Sequence, residues 1–141
     1  MAGLGADGVY DMLALRARVF VVEQGAFLDP DGVDRTAWHL LGRDDAGALR
    51  AYLRVVDPGI KYDEPSIGRV ALDKPLRGSG LADALVAEGI ARCAAAWPGQ
   101  GVRISAQAHL ERFYGRHGFG AVGDVYLEDG IRHLQMFKAA A

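Results

Sequence analysis

The sequence predicts a single α+β domain, in which a mixed, mostly antiparallel sheet carries one parallel strand-helix-strand unit at its centre. Two observations carry that class. The first is a long apolar stripe from Leu81 to Trp97, flanked by two β-branched runs, SIGRVALD and GVRISAQA. A strand, helix and strand in that order should form a right-handed parallel crossover. The second is a pair of hairpin signals: DDAG between two strand-like runs ahead of the long helix, and Asp129-Gly130 between two others near the C-terminus. Hairpins make antiparallel neighbours, so the sheet is mixed.

In chain order, the first element is a helix from about Gly8 to about Phe20. Val9, Met12, Leu13 and Phe20 fall near helical spacing there, with Arg16 and Arg18 off the stripe. GAFLDPDGVDRT, dense in Asp, Gly and Pro, reads as a loop that could cover a binding site. Its likeness to a calcium loop stops short of the glutamate needed at position 12. AWHLLGR and GALRAYLRVVD are strands, PGIKYDEP is a loop and SIGRVALD is a third strand. In the long helix Leu81, Ala82, Leu85, Val86, Gly89, Ile90, Cys93, Ala94 and Trp97 form one continuous stripe, and Pro98-Gly99 end it. GVRISAQA is a short strand. HLERFYGRHG is a short helix with Leu110, Phe113, Tyr114 and His117 on one side. FGAVGDVYLEDGIRHLQMFK makes the closing hairpin.

The bulk numbers fit residues 1–141 as one globular domain: 141 residues, half of them apolar. A formal net charge of -2 with no basic run argues against a nucleic-acid partner. The single cysteine, Cys93, excludes an internal disulfide and a multi-cysteine metal site, so no metal is expected and a reducing cytoplasm is the expected location. MAGLGADGVY lacks the basic and apolar regions of a signal peptide. No stretch reaches the ~18 apolar residues of a membrane span, so no membrane partner is expected.

Arg77-Gly78-Ser79-Gly80-Leu81-Ala82 raises the functional question, because glycines are poor helix formers and yet open the longest helix. The first turn of a helix has free N–H groups and a partial positive charge. An anion placed there collects several hydrogen bonds, and glycine lets it approach closely. Arg77 adds a guanidinium suited to phosphate oxygens. Spacing alone leaves a tight turn as the competing reading. Two better-known phosphate motifs fail: no Lys-Ser or Lys-Thr follows, and Asp83 replaces the third glycine of the dinucleotide fingerprint.

Arg77-x-x-Gly80-x-Ala82, after the strand IGRVAL and before an amphipathic helix, resembles motif A of the GNAT superfamily of N-acetyltransferases. FYGRHGF, Phe113 to Phe119, resembles the Tyr-x-x-x-Gly-Phe segment of motif B. LRARVFVVEQ, WHLLGR, IGRVAL, AQAHLERFYGRHGF and VYLEDGIRH are similar to the ElaA-like branch, and the resemblance runs from about Leu13 to Met136. The family's usual stretch ahead of the first helix is reduced here to MAGLGADG, which leaves a first edge strand open.

The resemblance implies an enzyme that uses acetyl-CoA to acetylate an amine of a small molecule or peptide. The cofactor would lie where two neighbouring parallel strands splay apart. Backbone groups of Val70, Ala71 and Leu72 would pair with the pantetheine arm. The N–H groups of Gly78, Ser79, Gly80, Leu81 and Ala82 would take the pyrophosphate. His109, Phe113 and Arg116 would border the cofactor, Arg116 near its 3′-phosphate. Tyr114 would protonate the departing thiolate, although it also fits a core position. An N–H of Val70 or Ala71 would meet the oxyanion. Many relatives carry a glutamate base where Ser66 stands. Glu23, His39, His109 and His133 are the titratable alternatives, and Glu23 is the one assigned as base. A non-catalytic acyl-CoA-binding regulatory module is the other function that these residues allow. A homodimer is left open.

Overall fold

The three strand-like runs ahead of the long helix pair as a meander. The computed structural model describes residues 3–24 and 29–141. In it β1 (Trp38–Arg43), β2 (Leu49–Val56) and β3 (Ser66–Leu72) form an antiparallel sheet in the order β1-β2-β3. A helix α2 (Leu81–Ala96) follows, then β4 (Val102–Gln107). A 3₁₀ turn, Ala108–Leu110, leads into the short helix α3 (Glu111–Gly115). β5 (Gly120–Glu128) and β6 (Ile131–Lys138) close the chain, and the second sheet has the order β4-β6-β5, again antiparallel. Asp129 and Gly130 both have positive φ, 53° and 75°, which suits the turn that matches strand twist in a two-residue hairpin.

The expected mixed sheet is thus two three-stranded antiparallel sheets that meet along β3 and β4. The Arg103 N–H donates to the Pro65 carbonyl at 3.0 Å, joining the start of β4 to the start of β3, so these two strands run parallel. Among the described residues no second backbone bond links them. Both are edge strands of their own sheets.

α2 and α3 cover one face of both sheets. Leu85, Val86 and Cys93 of α2 pack with Leu53 and Ile67, with Val102, Ile104 and Ala106 of β4, and with Leu134 and Met136 of β6. The α2 stripe is narrower than its sequence pattern: Leu81 and Ala94 are exposed. Gly89 sits in the middle of this contact for a steric reason. A Cβ there would lie 3.1 Å from Leu53 Cδ2 and 3.2 Å from Ile67 Cδ1. Cys93 is part of this core, and burial pushes its thiol up to about 11.

The first helix packs on the opposite face of the β1-β2-β3 sheet. It begins earlier and ends later than its apolar spacing implies: α1 (Gly5–Arg16) runs into a π-helical stretch, Ala17–Glu23. Met12, Leu15, Val19 and Phe20 pack there against Leu49, Tyr52 and Ala71. No described strand precedes it, and no described helix is long and apolar enough to cross a membrane.

Arg16, off the apolar stripe and expected outside, is fully buried. Its Nη1 donates to Asp34 Oδ1 at 2.7 Å, and its Nε lies 2.9 Å from Asp29 Oδ2. Arg54 of β2, also buried, grips Asp31 with both Nη atoms at 2.9 and 2.7 Å and reaches Asp34 at 3.1 Å. Arg69 of β3 donates from Nε to Asp29 Oδ1 at 2.9 Å. Three aspartates of the DPDGVD loop therefore neutralise three arginines, one each from α1, β2 and β3. Buried charges persist only when paired in this way.

Two predictions follow from packing and charge. Gly89→Leu should cost about 1–3 kcal/mol by overpacking the α2 contact. Urea denaturation should show a lower midpoint with an unchanged slope, and a midpoint equal to the parent's would mean the contact is slack. Desolvation pushes the Asp31 carboxyl up, but the hydrogen bonds and charge of Arg54 overcome it and hold the group at about 2. Asp34 is lowered in the same way by Arg16 and Arg54 against its desolvation. A carboxyl whose folded pKa lies below its unfolded value, about 3.9, stabilises the fold above that value and loses this contribution as pH falls through the folded one. Stability should drop steeply between about pH 4 and pH 2, and Asp31→Asn should flatten the drop while lowering stability at neutral pH.

Candidate active site

The residue pattern SIGRVALDKPLRGSGLA runs along β3, through a 3₁₀ turn (Lys74–Leu76), into the start of α2. Gly78 and Gly80 have φ of 83° and 85°, left-handed torsions that a side chain would strain. No heavy atom lies within 4 Å of where their Cβ atoms would be. Steric crowding inside the chain therefore does not demand glycine here; the torsion does, and it leaves the backbone open to solvent. Ser79 N–H is bonded to Leu76 O, and the Ser79 hydroxyl folds back onto the same carbonyl. The amides of Gly78, Gly80 and Ala82 have no backbone partner among the described residues. The result is a concave patch of N–H groups at a helix start, suited to an anion.

Arg77 is not free to add a phosphate grip in this structure. Its Nε and Nη2 donate to Leu72 O, both at 3.1 Å, and its Nη1 lies 2.8 Å from Glu23 Oε2. Glu23 is held below the usual carboxylate range by that Arg77 hydrogen bond. It sits at the cradle end of β3 rather than along the cleft. Arg116, largely exposed, pairs with Asp83 at 3.1 Å over the Phe113 ring, and His117 reaches the same carboxylate at 2.8 Å. His109 is exposed on the turn before α3.

Between β3 and β4 lies a cleft with about 800 Å³ of space, part of it open to solvent. Ile67, Gly68, Arg69 and Val70 line one side, and Ile104, Ser105, Ala106 and Gln107 the other. β3 bulges here. Tyr52 pairs with Ala71 and Arg54 with Gly68, so two steps of β2 match three of β3. Arg69 at the bulge has a φ of 51°, strained for a residue with a side chain. Val70 faces the cleft, whereas the side chains of Ala71 and Leu72 are buried on either side of the sheet.

Tyr114 of α3 reaches the cleft from the α2 side. Its ring is buried edge-on against Phe113 and Phe119, with centroids at 5.0 and 6.0 Å. Its hydroxyl has no hydrogen-bond partner among the described residues, and burial pushes the phenol up to about 12, so it is protonated at neutral pH. It is at once a core ring and a cleft-lining donor.

The other titratable residues separate. His39 is outside the cleft: its Nδ1 meets Tyr52 OH at 2.5 Å and its Nε2 meets Asp34 O at 3.1 Å, and burial lowers its pKa. Ser66 is buried at the start of β3. His133 lines the cleft, together with Lys61 and Glu128, neither of which the motifs pointed to. The hairpin turn could have revealed Glu128. A two-residue turn at Asp129-Gly130 fixes the register and sets Tyr126 opposite His133, with Glu128 beside the turn.

The cradle predicts a specific sensitivity. Asparagine tolerates left-handed torsions better than most residues, so Gly80→Asn should fold while filling the approach to the N–H groups. Calorimetric titration with CoA should show affinity at least tenfold weaker with little change in melting temperature. Undiminished affinity would dismiss the cradle as a phosphate site.

A family model describing an acetyltransferase (GNAT) domain matches residues 39–140. Protein ElaA of Escherichia coli K12 is 39% identical over 139 residues, spanning 96% of this chain and 90% of that protein. A UPF0039 protein of Synechocystis is 46% identical over 134 residues, 94% of this chain and 87% of that one. The crystal structure of an acyl-CoA N-acyltransferase from Pseudomonas aeruginosa matches with a TM-score of 0.92 at 42% identity, covering 98% of this chain and 94% of its own. The ElaA crystal structure matches with a TM-score of 0.90 at 37% identity, covering 96% and 93%. With its splayed parallel strands leading to a glycine-opened helix, the chain belongs to the GNAT family of acyltransferases.

Proposed function

We propose that this protein is an acetyl-CoA-dependent N-acetyltransferase acting on an amine of a small molecule or peptide. The observation that carries the reading is the divergence of β3 from β4 after a single shared backbone bond. It leaves two facing strand edges unpaired, and an extended amide-bearing arm could pair with them as an added strand. Beyond the cleft, β3 leads through the Lys74–Leu76 turn to the Gly78–Ala82 amides, which fit a pyrophosphate. An amide-bearing arm and a pyrophosphate are both parts of a CoA thioester, which supports acetyl-CoA as the donor.

In this reading β3 supplies backbone hydrogen bonds from Val70, Ala71 and Leu72 to the pantetheine arm. A β3 amide at Val70 or Ala71, next to the bulge, meets the oxyanion that forms when the amine attacks the thioester carbonyl. Tyr114 then gives its proton to the departing thiolate. The phenol regains a proton from the nitrogen, which must lose one as the amide forms. Phe113 positions Tyr114, while Arg116 and His109 lie at the outer rim, where they can meet the nucleotide end. Glu23, tied to Arg77, shapes the cradle end of β3 and is a poor candidate for base.

Tyr114→Phe removes one oxygen and keeps the ring packing. Turnover should fall by roughly 10²–10⁴-fold, the usual loss for a general acid, with CoA affinity nearly unchanged. Unchanged turnover would take Tyr114 out of the mechanism. Thiol release from acetyl-CoA with a panel of primary alkylamines and lysine peptides tests the activity itself. CoA binding without thiol release from any member would favour a binding module over an enzyme.

A further inference from the structure

The cleft has two sides, and they are built differently. On β6, Leu134 and Met136 point into the core beneath α2 and α3. Side chains alternate along a strand, so His133 and Gln135 point to the opposite face. Cross-strand register sets His133 between Gln107 of β4 and Tyr126 of β5. The Tyr126 ring stacks on the imidazole with centroids 6.2 Å apart, and its hydroxyl is hydrogen-bonded to Ser105 of β4. Tyr114 reaches the cleft from the α2 and α3 side, and the phosphate cradle lies there too. The face carrying His133 is therefore the side left for the acceptor.

We infer that His133, positioned by Glu128, is the base that takes a proton from the acceptor amine. The inference rests on the acetyltransferase reading and supplies the base that reading lacks. His133 is largely buried and lines the cleft. Its Nδ1 lies 2.8 Å from the Ile131 carbonyl, which can only accept, so Nδ1 carries the hydrogen. The neutral ring then holds its lone pair on Nε2. Glu128 Oε2 lies 3.3 Å from that atom. A proton placed on Nε2 is shared directly with the Glu128 carboxylate, so an alkylammonium ion that reaches Nε2 can hand its proton to the pair.

The step balances as follows. The acceptor R–NH₃⁺ gives one proton to Nε2, leaving R–NH₂ and an imidazolium whose new N–H faces Glu128. The amine lone pair forms the C–N bond and the C–S bond breaks toward sulfur. Tyr114 protonates that sulfur and recovers the nitrogen's remaining surplus proton. The imidazolium later releases its proton to solvent. The groups around His133 that could affect this step are Gln107 of β4, Tyr126 and Glu128 of β5, Lys61 of the β2–β3 loop, Arg54 and Arg69 at the cleft wall, and Tyr114. Arg54 is paired with Asp31 and Asp34, and Arg69 with Asp29. Glu128 is the only carboxylate paired with His133 among the described residues.

The test uses the amine that the intact protein acetylates fastest in the alkylamine and lysine-peptide panel. His133→Gln should retain CoA affinity and melting temperature while turnover at neutral pH falls by roughly 10²–10⁴-fold. The acid limb of its kcat/KM profile should move up toward the pKa of the amine. His133→Ala with added imidazole should recover part of the rate, a result that a merely structural role would not give. Glu128→Gln, a near-isosteric change at a half-buried position, should displace the acid limb with a smaller loss, and it keeps the test open if the histidine variants misfold. A parent-like rate and pH profile in His133→Gln, or in Glu128→Gln where the former does not fold, would overturn the base assignment and leave the acetyltransferase reading standing. Failure of the parent to acetylate any amine would remove both.

Discussion

One backbone hydrogen bond, Arg103 N–H to Pro65 O, marks where the two sheets join and where they begin to part. Had β3 and β4 continued to pair, the sheet would be continuous and closed to any ligand. Instead their edges separate, and the unmet backbone groups of both strands line a cleft. An exposed strand edge is ordinarily a hazard that invites aggregation. Here the two edges face each other across the cleft, where an added extended chain could pair with them.

The divergence is held in place by charge. The β3 bulge puts Arg69 at a positive φ, a conformation that costs of order 1–3 kcal/mol and persists only when its surroundings fix it. Asp29 supplies that fixation by accepting from Arg69 Nε, and its backbone carbonyl accepts from Nη2 at 3.0 Å. Asp29 is in turn paired with Arg16 of α1, while Asp31 and Asp34 hold Arg54 of β2. A loop without regular structure beyond one 3₁₀ turn thus ties three elements to one another behind the cleft wall. Replacing such a network by apolar residues of the same shape can be neutral for stability. Its value here is geometric, because it sets where β3 bends.

Much of this was legible in the sequence. The hairpin turns and the order of elements along the chain follow from local periodicity and turn chemistry, and the structure reproduces them, with the α2 stripe narrowed by the exposure of Leu81 and Ala94. The cradle at Gly78 and Gly80 was legible because only an unusual torsion puts glycines at a helix start. Arg16 was misplaced because an amphipathic pattern counts a charged residue as outward-facing. Only the distant aspartates of DPDGVD make its burial tolerable, and that pairing across the chain leaves no periodic signal. The join between the sheets was equally hidden, since the runs of β3 and β4 look like any buried neighbours. Tyr114, for which the sequence left a core position and a place beside the cofactor as alternatives, is buried and lines the cleft, whereas Arg77 and Glu23, candidates for separate roles, are bound to each other.

The central claim is that the β3 edge and the α2 start together receive the acyl donor while the opposite face is left for the acceptor. Amide hydrogen exchange with and without saturating CoA tests it directly. Slowed exchange at Val70–Leu72 and Gly78–Ala82, with the Tyr126–His133 hairpin unchanged, is the predicted result. Protection concentrated in the hairpin, or none at β3, would contradict it.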